Sequence, residues 1–76
     1  QLMINVLVKT KDGWQGNEPI QAAIAKAEQA LHGRGRILVR PSGTEPVVRV
    51  MVEGEEEKML KSLADRIAAV IQEQLG

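Results

Sequence analysis

The segment RILVRPSGTEPVVRVMVEG, residues 36–54, decides the fold, because it contains two runs of β-forming residues separated by a short loop. The first run covers residues 37–40, and the second covers residues 47–53 and is rich in β-branched valine. Two prolines, a glycine and two hydroxyl residues lie between the runs, which is typical of a loop. We therefore predict two strands that form a β-hairpin.

The alternation of side chains predicts which face of this hairpin is buried. A register that pairs Arg40 with Val47 divides the residues between two faces. One face then carries Leu38, Arg40, Val47 and Arg49, and the other carries Ile37, Val39, Val48 and Val50. Since the second set is wholly apolar, we expect the helices to cover it and the arginines to project from the open face. In this register Arg40 and Arg49 are diagonal neighbours about 7–8 Å apart, close enough to bind one small anion.

The segment that precedes the hairpin predicts a further strand and a helix. Residues 2–9 alternate between an apolar and a mixed face, as a half-buried strand does, and Lys11-Asp12-Gly13 ends the pattern. Asn17 is a candidate N-cap for an amphipathic helix over residues 18–32, which Gly33 follows as residue C′. We expect this helix to connect the first strand to the hairpin.

The segment after the hairpin predicts a last helix. Its apolar stripe consists of Leu60, Leu63, Ala64, Ile67, Val70, Ile71 and Leu75. Glu55, Glu56 and Glu57 are expected in its first turn, where carboxylates interact favourably with the helix dipole. The order β-α-β-β-α over residues 1–76 therefore predicts one α+β domain, a two-layer sandwich with a small, mainly antiparallel sheet and both helices on one face.

Composition excludes several classes of function. The 76 residues include ten Lys and Arg, ten Asp and Glu, one His, one aromatic residue and no Cys. Zero net charge and a single aromatic ring argue against nucleic-acid binding, and no apolar run approaches the roughly 18 residues of a membrane span. One His without Cys leaves no zinc or iron–sulfur ligand set, so no metal site is expected. A chain of this length buries only about 60% of its surface, which favours a binding domain over an independent enzyme.

The loop of the hairpin carries groups that suit phosphate. Gly43 permits a positive φ and a close approach of the backbone, so that successive N–H groups can form an anion-binding nest. The hydroxyls of Ser42 and Thr44 can donate further hydrogen bonds, and the guanidinium groups of Arg40 and Arg49 match phosphate oxygens. The same residues are also compatible with a plain turn beside a solvated arginine pair, and their chemistry alone does not decide between the two.

The run from Arg36 to Gly54 closely resembles the phosphate-binding segment in the C-terminal domain of the α-D-phosphohexomutases. Ser-Gly-Thr-Glu-Pro, followed after one residue by Val-Arg-Val-Met-Val-Glu-Gly, is most similar to the bacterial phosphoglucosamine mutases within that superfamily. The resemblance extends over the whole chain in the order of its elements. It implies a fold like that of the TATA-box-binding protein.

The resemblance also implies a function. The parent enzyme would be an intramolecular phosphotransferase in cytoplasmic amino-sugar synthesis for the cell wall, interconverting glucosamine 6-phosphate and glucosamine 1-phosphate through a bisphosphorylated intermediate. This domain would grip the phosphate that is not transferred and close the active site. The positions that match the motif are Arg40, Ser42, Gly43, Thr44 and Arg49.

The rest of the catalytic machinery is expected outside this chain. In the family the phosphoserine and Mg²⁺ belong to other domains, and this chain has neither of the corresponding motifs. The isolated domain should therefore be inactive and hold no cofactor, and its partners should be the phosphosugar and the other domains of the parent. Two alternatives stay open, namely the same domain of a phosphomannomutase or phosphoglucomutase, and a non-catalytic interaction module.

Two further features carry expectations about contacts. Trp14 can stack on a sugar, although a lone loop tryptophan more often covers an edge of the core, and we favour packing. The open face of the sheet carries a strip of apolar residues that we expect to contact the rest of the parent enzyme. This strip consists of Met3, Leu7, Leu38, Val47 and Met51.

Overall fold

The computed structural model of the chain describes residues 1–10 and 13–76 and has the predicted order of elements. The elements are β1 (Leu2–Leu7), α1 (Glu18–Leu31), β2 (Gly35–Pro41), β3 (Val47–Gly54) and α2 (Glu57–Leu75). The α+β class and the β-α-β-β-α order are confirmed. The predicted strand break at Lys11 and Asp12 lies outside the described residues.

The sheet has β3 at its centre, in the strand order β1-β3-β2. Both β1 and β2 pair with β3 in the antiparallel sense, which confirms the hairpin. It follows that β1 and β2 run parallel to each other, with α1 as the crossover between them. The loop of residues 42–46 therefore lies at the same end of the sheet as the end of β1.

The predicted register of the hairpin is wrong by two residues. Arg40 pairs with Arg49 and not with Val47, and Pro41 extends β2 by pairing with Val48. The Ser42 amide donates to the Val47 carbonyl at 2.9 Å, so that the chain turns only after Ser42. Because a shift of two residues leaves every side chain on its original face, the predicted faces are correct.

The core lies between the apolar face of the sheet and the two helices. Val48, Val50 and Val52 of β3 have no exposed surface, as expected for the central strand. The helices contribute Ile20, Ala23, Ala27, Leu31, Leu60, Ala64, Ile67, Ile71 and Leu75. Since α1 packs on β2 and α2, and α2 packs on β1 and β3, both helices cover the same face. Within the described residues neither helix has the length and apolar character that a membrane-spanning segment requires.

The ends of α1 follow the local sequence closely. The Asn17 side-chain oxygen accepts a hydrogen bond from the Ile20 amide at 3.2 Å, which confirms the predicted N-cap. The helix ends at Leu31, one residue earlier than predicted, because His32 has a φ of 50° and leaves the helical conformation. Gly33 follows with a φ of 76°, as expected for a C′ glycine.

The start of α2 differs from the prediction. The helix begins at Glu57, so that this residue alone of the three predicted acids lies in its first turn. Glu56 is the N-cap residue, with an extended backbone and no side-chain capping bond, and Glu55 precedes it. The carboxylates of Glu56 and Glu57 still lie close to the positive end of the helix dipole.

Candidate functional site

The open face of the sheet carries polar and apolar side chains in alternating rows across the strands. Arg40 of β2, Arg49 of β3 and Asn5 of β1 are directly paired and form one row, which we call the arginine row. All three residues are exposed. The neighbouring row is apolar and consists of Met3, Met51 and Leu38.

Arg40 and Arg49 lie closer together than the sequence predicts. As directly opposed residues their Cβ atoms are about 4.5–5.5 Å apart, and like charges in such a pair repel. Among the described residues neither arginine forms an ion pair, whereas Arg36 on the same strand and face binds Glu53 at 3.6 Å. Two cations held together without a counter-ion form an arrangement that an anion stabilises.

Ser42 organises the loop beside these arginines. It is 9% exposed, and its Oγ accepts hydrogen bonds from the Thr44 amide at 3.4 Å and the Glu45 amide at 3.3 Å. These two N–H groups are therefore directed at the serine, and the predicted open nest of loop amides is not formed in this conformation. Both bonds are longer than the usual range, so they are weak. The contacts of Ser42 and Thr44 with phosphate stay predictions.

The predicted reason for Gly43 is wrong. The backbone of Gly43 does not have a positive φ, because the Ser42 hydroxyl closes the turn and no left-handed residue is needed there. A Cβ added at Gly43 would meet no heavy atom within 4 Å. Neither the backbone conformation nor packing within the chain thus requires a glycine at this position. The absent side chain leaves open space at the loop.

The site is an open surface and not an enclosed cavity. A cavity of only about 30 Å³ adjoins both arginines and is otherwise lined by Met3, Leu38 and Met51. This volume is about that of one water molecule, which is too small to enclose a phosphate. An anion on the arginine row would therefore lie at the surface, accessible from outside the chain. A larger cavity, of about 250 Å³, lies between the end of α1 and the start of α2, at the opposite end of the sheet.

Trp14 packs on the core and not on a ligand-binding surface. Trp14 is partly buried against the hydrophobic core, which confirms the prediction of packing. Its carbonyl oxygen accepts hydrogen bonds from the Asn17 amide at 3.3 Å and from Gln21 Nε2 at 3.2 Å. Trp14 therefore has a structural role at the start of α1.

Asn5 is the member of the row that the sequence did not identify. The alternation of β1 placed it on the mixed face, but no local pattern showed which strand lies beside β1. The signal becomes visible only when the register with β3 is known, because Asn5 is then directly opposite Arg49. Met3 and Leu7, its neighbours on the same face, are 53% and 66% exposed, and Leu38 across the sheet is 44% exposed.

Comparison with known proteins identifies the family and supports the fold. Residues 3–70 match the family described as "Phosphoglucomutase/phosphomannomutase, C-terminal domain". The chain is 51% identical over 76 residues to the phosphoglucosamine mutase of Latilactobacillus sakei, and 54% identical over 71 residues to that of Teredinibacter turnerae. These alignments cover 100% and 93% of this chain but only 17% and 16% of the relatives. The chain thus spans about one sixth of the curated relatives it matches.

A solved structure has the same fold. The chain superposes on N-acetylphosphoglucosamine mutase of Aspergillus fumigatus with a TM-score of 0.73 and 25% identity. The match covers 93% of this chain and 15% of that one. That enzyme was crystallised in complex with glucose 1,6-bisphosphate.

Proposed function

The chain belongs to the phosphoglucomutase/phosphomannomutase family as a C-terminal domain, and from this membership we propose that it grips a phosphate of the substrate in a phosphoglucosamine mutase. The parent enzyme would interconvert glucosamine 6-phosphate and glucosamine 1-phosphate through a bisphosphorylated intermediate. This domain would hold the phosphate that is not transferred and close the active site.

The observation that carries this proposal is the directly opposed pair of Arg40 and Arg49. Both guanidinium groups are exposed, and neither has a carboxylate partner among the described residues. Guanidinium groups bind phosphate oxygens in a bidentate manner, and two of them balance the charge of a phosphate dianion. The amide of Gly43 and the hydroxyl of Thr44 lie in the adjoining loop as further donors.

The choice of substrate rests on the relatives. Phosphoglucosamine mutases from three bacteria are 51–54% identical to this chain over nearly its whole length. Their name favours glucosamine phosphates over the glucose and mannose phosphates that the family description includes. The solved neighbour is also named a mutase of a phosphorylated glucosamine, and its bound glucose 1,6-bisphosphate is a sugar with two phosphates.

The contribution of this domain would be to position the substrate. A bisphosphorylated sugar must present each phosphate in turn to the reacting groups, so the domain must bind either end and release it between half-reactions. A phosphate site on an open face suits this requirement, because it holds one phosphate while the other end of the sugar projects away from the sheet. Such positioning lowers the entropic part of the barrier, and closure excludes water from the site.

The bond-breaking groups would belong to other parts of the parent enzyme. Among the described residues there is no group of three or more His, Asp or Glu side chains that could hold a metal ion. We assign Mg²⁺ and the phosphorylated serine to the other domains, and the reaction to cytoplasmic amino-sugar synthesis for the cell wall.

An NMR titration of this chain with inorganic phosphate at low salt tests the proposal. In the unsubstituted chain we expect amide shifts confined to residues 40–45 and Arg49. Arg40→Gln and Arg49→Gln should each weaken binding by roughly 10- to 150-fold, because a charge-assisted hydrogen bond contributes about 1.5–3 kcal/mol. Arg36→Gln is the matched control, since Arg36 is an exposed arginine on the same strand and face that pairs with Glu53, and it should bind phosphate normally.

The stability of the same variants supplies an independent readout. Since opposed like charges repel, removing either arginine of the pair should raise the free energy of unfolding by up to about 1 kcal/mol. Loss of folding in Arg40→Gln or Arg49→Gln would assign these residues to structure. Absence of phosphate shifts in the unsubstituted chain, or equal losses in the Arg36→Gln control, would contradict the proposed site.

A further inference from the structure

We propose that Asn5 is a further ligand-binding residue and that it contacts the organic part of a phosphate ester and not the phosphate itself. The proposal rests on the proposed function, because it requires that Arg40 and Arg49 hold the phosphate. It adds a third strand to the binding surface and assigns the ligand class as a phosphate ester whose alcohol part carries further hydroxyl groups.

The register of the sheet brings Asn5 to the arginines. Asn5 is directly opposite Arg49, and Arg49 is directly opposite Arg40, so that the three side chains project from the same face in one row. Adjacent strands are about 4.8 Å apart, which places the backbone of Asn5 about 5 Å from that of Arg49 and about 10 Å from that of Arg40. Asn5 is therefore within side-chain reach of anything bound on the arginine pair.

Asn5 is a polar residue between two apolar ones on the outward face of β1. Asparagine is depleted in strands, and Met3 and Leu7 occupy the same face on either side of it. The side chain is exposed, and among the described residues it has no hydrogen-bond partner. The amide of Asn5 is therefore available to a group bound from outside the chain.

The position of the loop determines which part of the ligand meets Asn5. Residues 42–46 connect β2 to β3, so the loop donors and both arginines surround a phosphate from the β2–β3 side of the sheet. Asn5 lies on the other side of Arg49, on β1, beyond the phosphate. We place the esterified alcohol and its further hydroxyl groups on this side of the phosphate, over β1.

The chemistry of the amide fits this assignment. A hydroxyl group both donates and accepts hydrogen bonds, and the amide of asparagine offers both functions in one side chain. A third cation at this position would bind phosphate more strongly but would add to the repulsion within the arginine row. A neutral donor and acceptor is the better choice beside two cations when the partner is a hydroxyl.

The test compares two probes on two proteins, namely inorganic phosphate and glucosamine 6-phosphate on the unsubstituted chain and on Asn5→Thr. Threonine suits a strand, so this variant is expected to fold. Dissociation constants come from NMR titrations at the same ionic strength. We expect Asn5→Thr to bind inorganic phosphate within about twofold of the unsubstituted chain and to bind glucosamine 6-phosphate roughly 3- to 10-fold more weakly, as for the loss of one neutral hydrogen bond.

Each other outcome overturns the inference in a distinguishable way. Equal weakening for both probes would mean that Asn5 acts on the phosphate or on Arg49, and unchanged affinity for both would exclude Asn5 from the site. Failure of the unsubstituted chain to bind inorganic phosphate would instead remove the proposed function and this inference with it. Asn5→Val, which has high strand propensity and no polar atom, repeats the comparison if threonine itself contacts the ligand.

Discussion

Replacing Gly43 by alanine separates the needs of the fold from those of a ligand. The added methyl group would meet no heavy atom of the chain within 4 Å, and the backbone of Gly43 is outside the left-handed region. The substitution therefore causes neither a clash nor backbone strain. Because alanine restricts the unfolded chain more than glycine does, we expect the free energy of unfolding to rise by about 0.4–1 kcal/mol.

Phosphate binding should change in the opposite direction. The loop approaches an anion on the arginine row most closely where no side chain intervenes, and a methyl group there would push the anion away from the loop donors. Losing one charge-assisted hydrogen bond costs about 1.5–3 kcal/mol, which corresponds to a dissociation constant roughly 10- to 150-fold higher. A variant that is more stable but binds phosphate less well is the expected result.

Two measurements on the same samples check this prediction. Urea unfolding followed by the fluorescence of Trp14, which packs against the core, gives the stability, and an amide NMR titration gives the affinity for phosphate. Gly16→Ala is the matched control, because a methyl group at Gly16 would also enter open space and its φ is not positive, but it lies outside the hairpin. Unchanged phosphate affinity in Gly43→Ala would refute the idea that phosphate approaches the loop at Gly43, since neither folding nor binding would then require the glycine.

Two further substitutions probe the fold away from the arginine row. Gly35→Ala should lower the free energy of unfolding by about 1–3 kcal/mol, because the added Cβ would overlap the Glu53 carbonyl of β3. Urea titration measures this loss, and a loss below about 0.5 kcal/mol would show that the two strands separate easily. His32→Gly should raise the free energy of unfolding by up to about 1 kcal/mol, since His32 has a φ of 50° that glycine adopts without strain. Thermal denaturation measures this gain, and a lower thermal midpoint would mean that the imidazole makes stabilising contacts.

The elements of this fold were predictable because each depends on neighbouring residues. The stripe from Leu60 to Leu75, the Asn17 cap and the valines of β3 are local signals, and the structure confirms all three. The registers were not predictable in the same way. The hairpin register depends on Ser42, whose amide extends the pairing of β2 and whose hydroxyl closes the turn that follows. The pairing of β1 with β3 depends on contacts between residues about forty or more positions apart.

The errors about the site have the same origin as the error in register. A glycine between two hydroxyl residues suggests a left-handed turn, but the Ser42 side chain accepts the loop amides and makes that conformation unnecessary. The arginines were assigned to the correct face, yet their direct opposition follows only from the observed pairing. Sequence patterns thus identified which side chains face outward but not which of them meet.

The open face is unfavourable for an isolated chain in two respects, and both point to the same explanation. Arg40 and Arg49 repel each other without a counter-ion among the described residues, and the adjoining row exposes methionine and leucine side chains to water. Selection for stability alone would replace an opposed arginine by a neutral residue and an exposed Leu7 by a polar one. Both features lie on one face and on adjacent rows, next to a loop whose Gly43 is required neither by backbone conformation nor by packing. A surface that binds an anion beside an apolar contact accounts for all of them together, whereas a plain turn accounts for none.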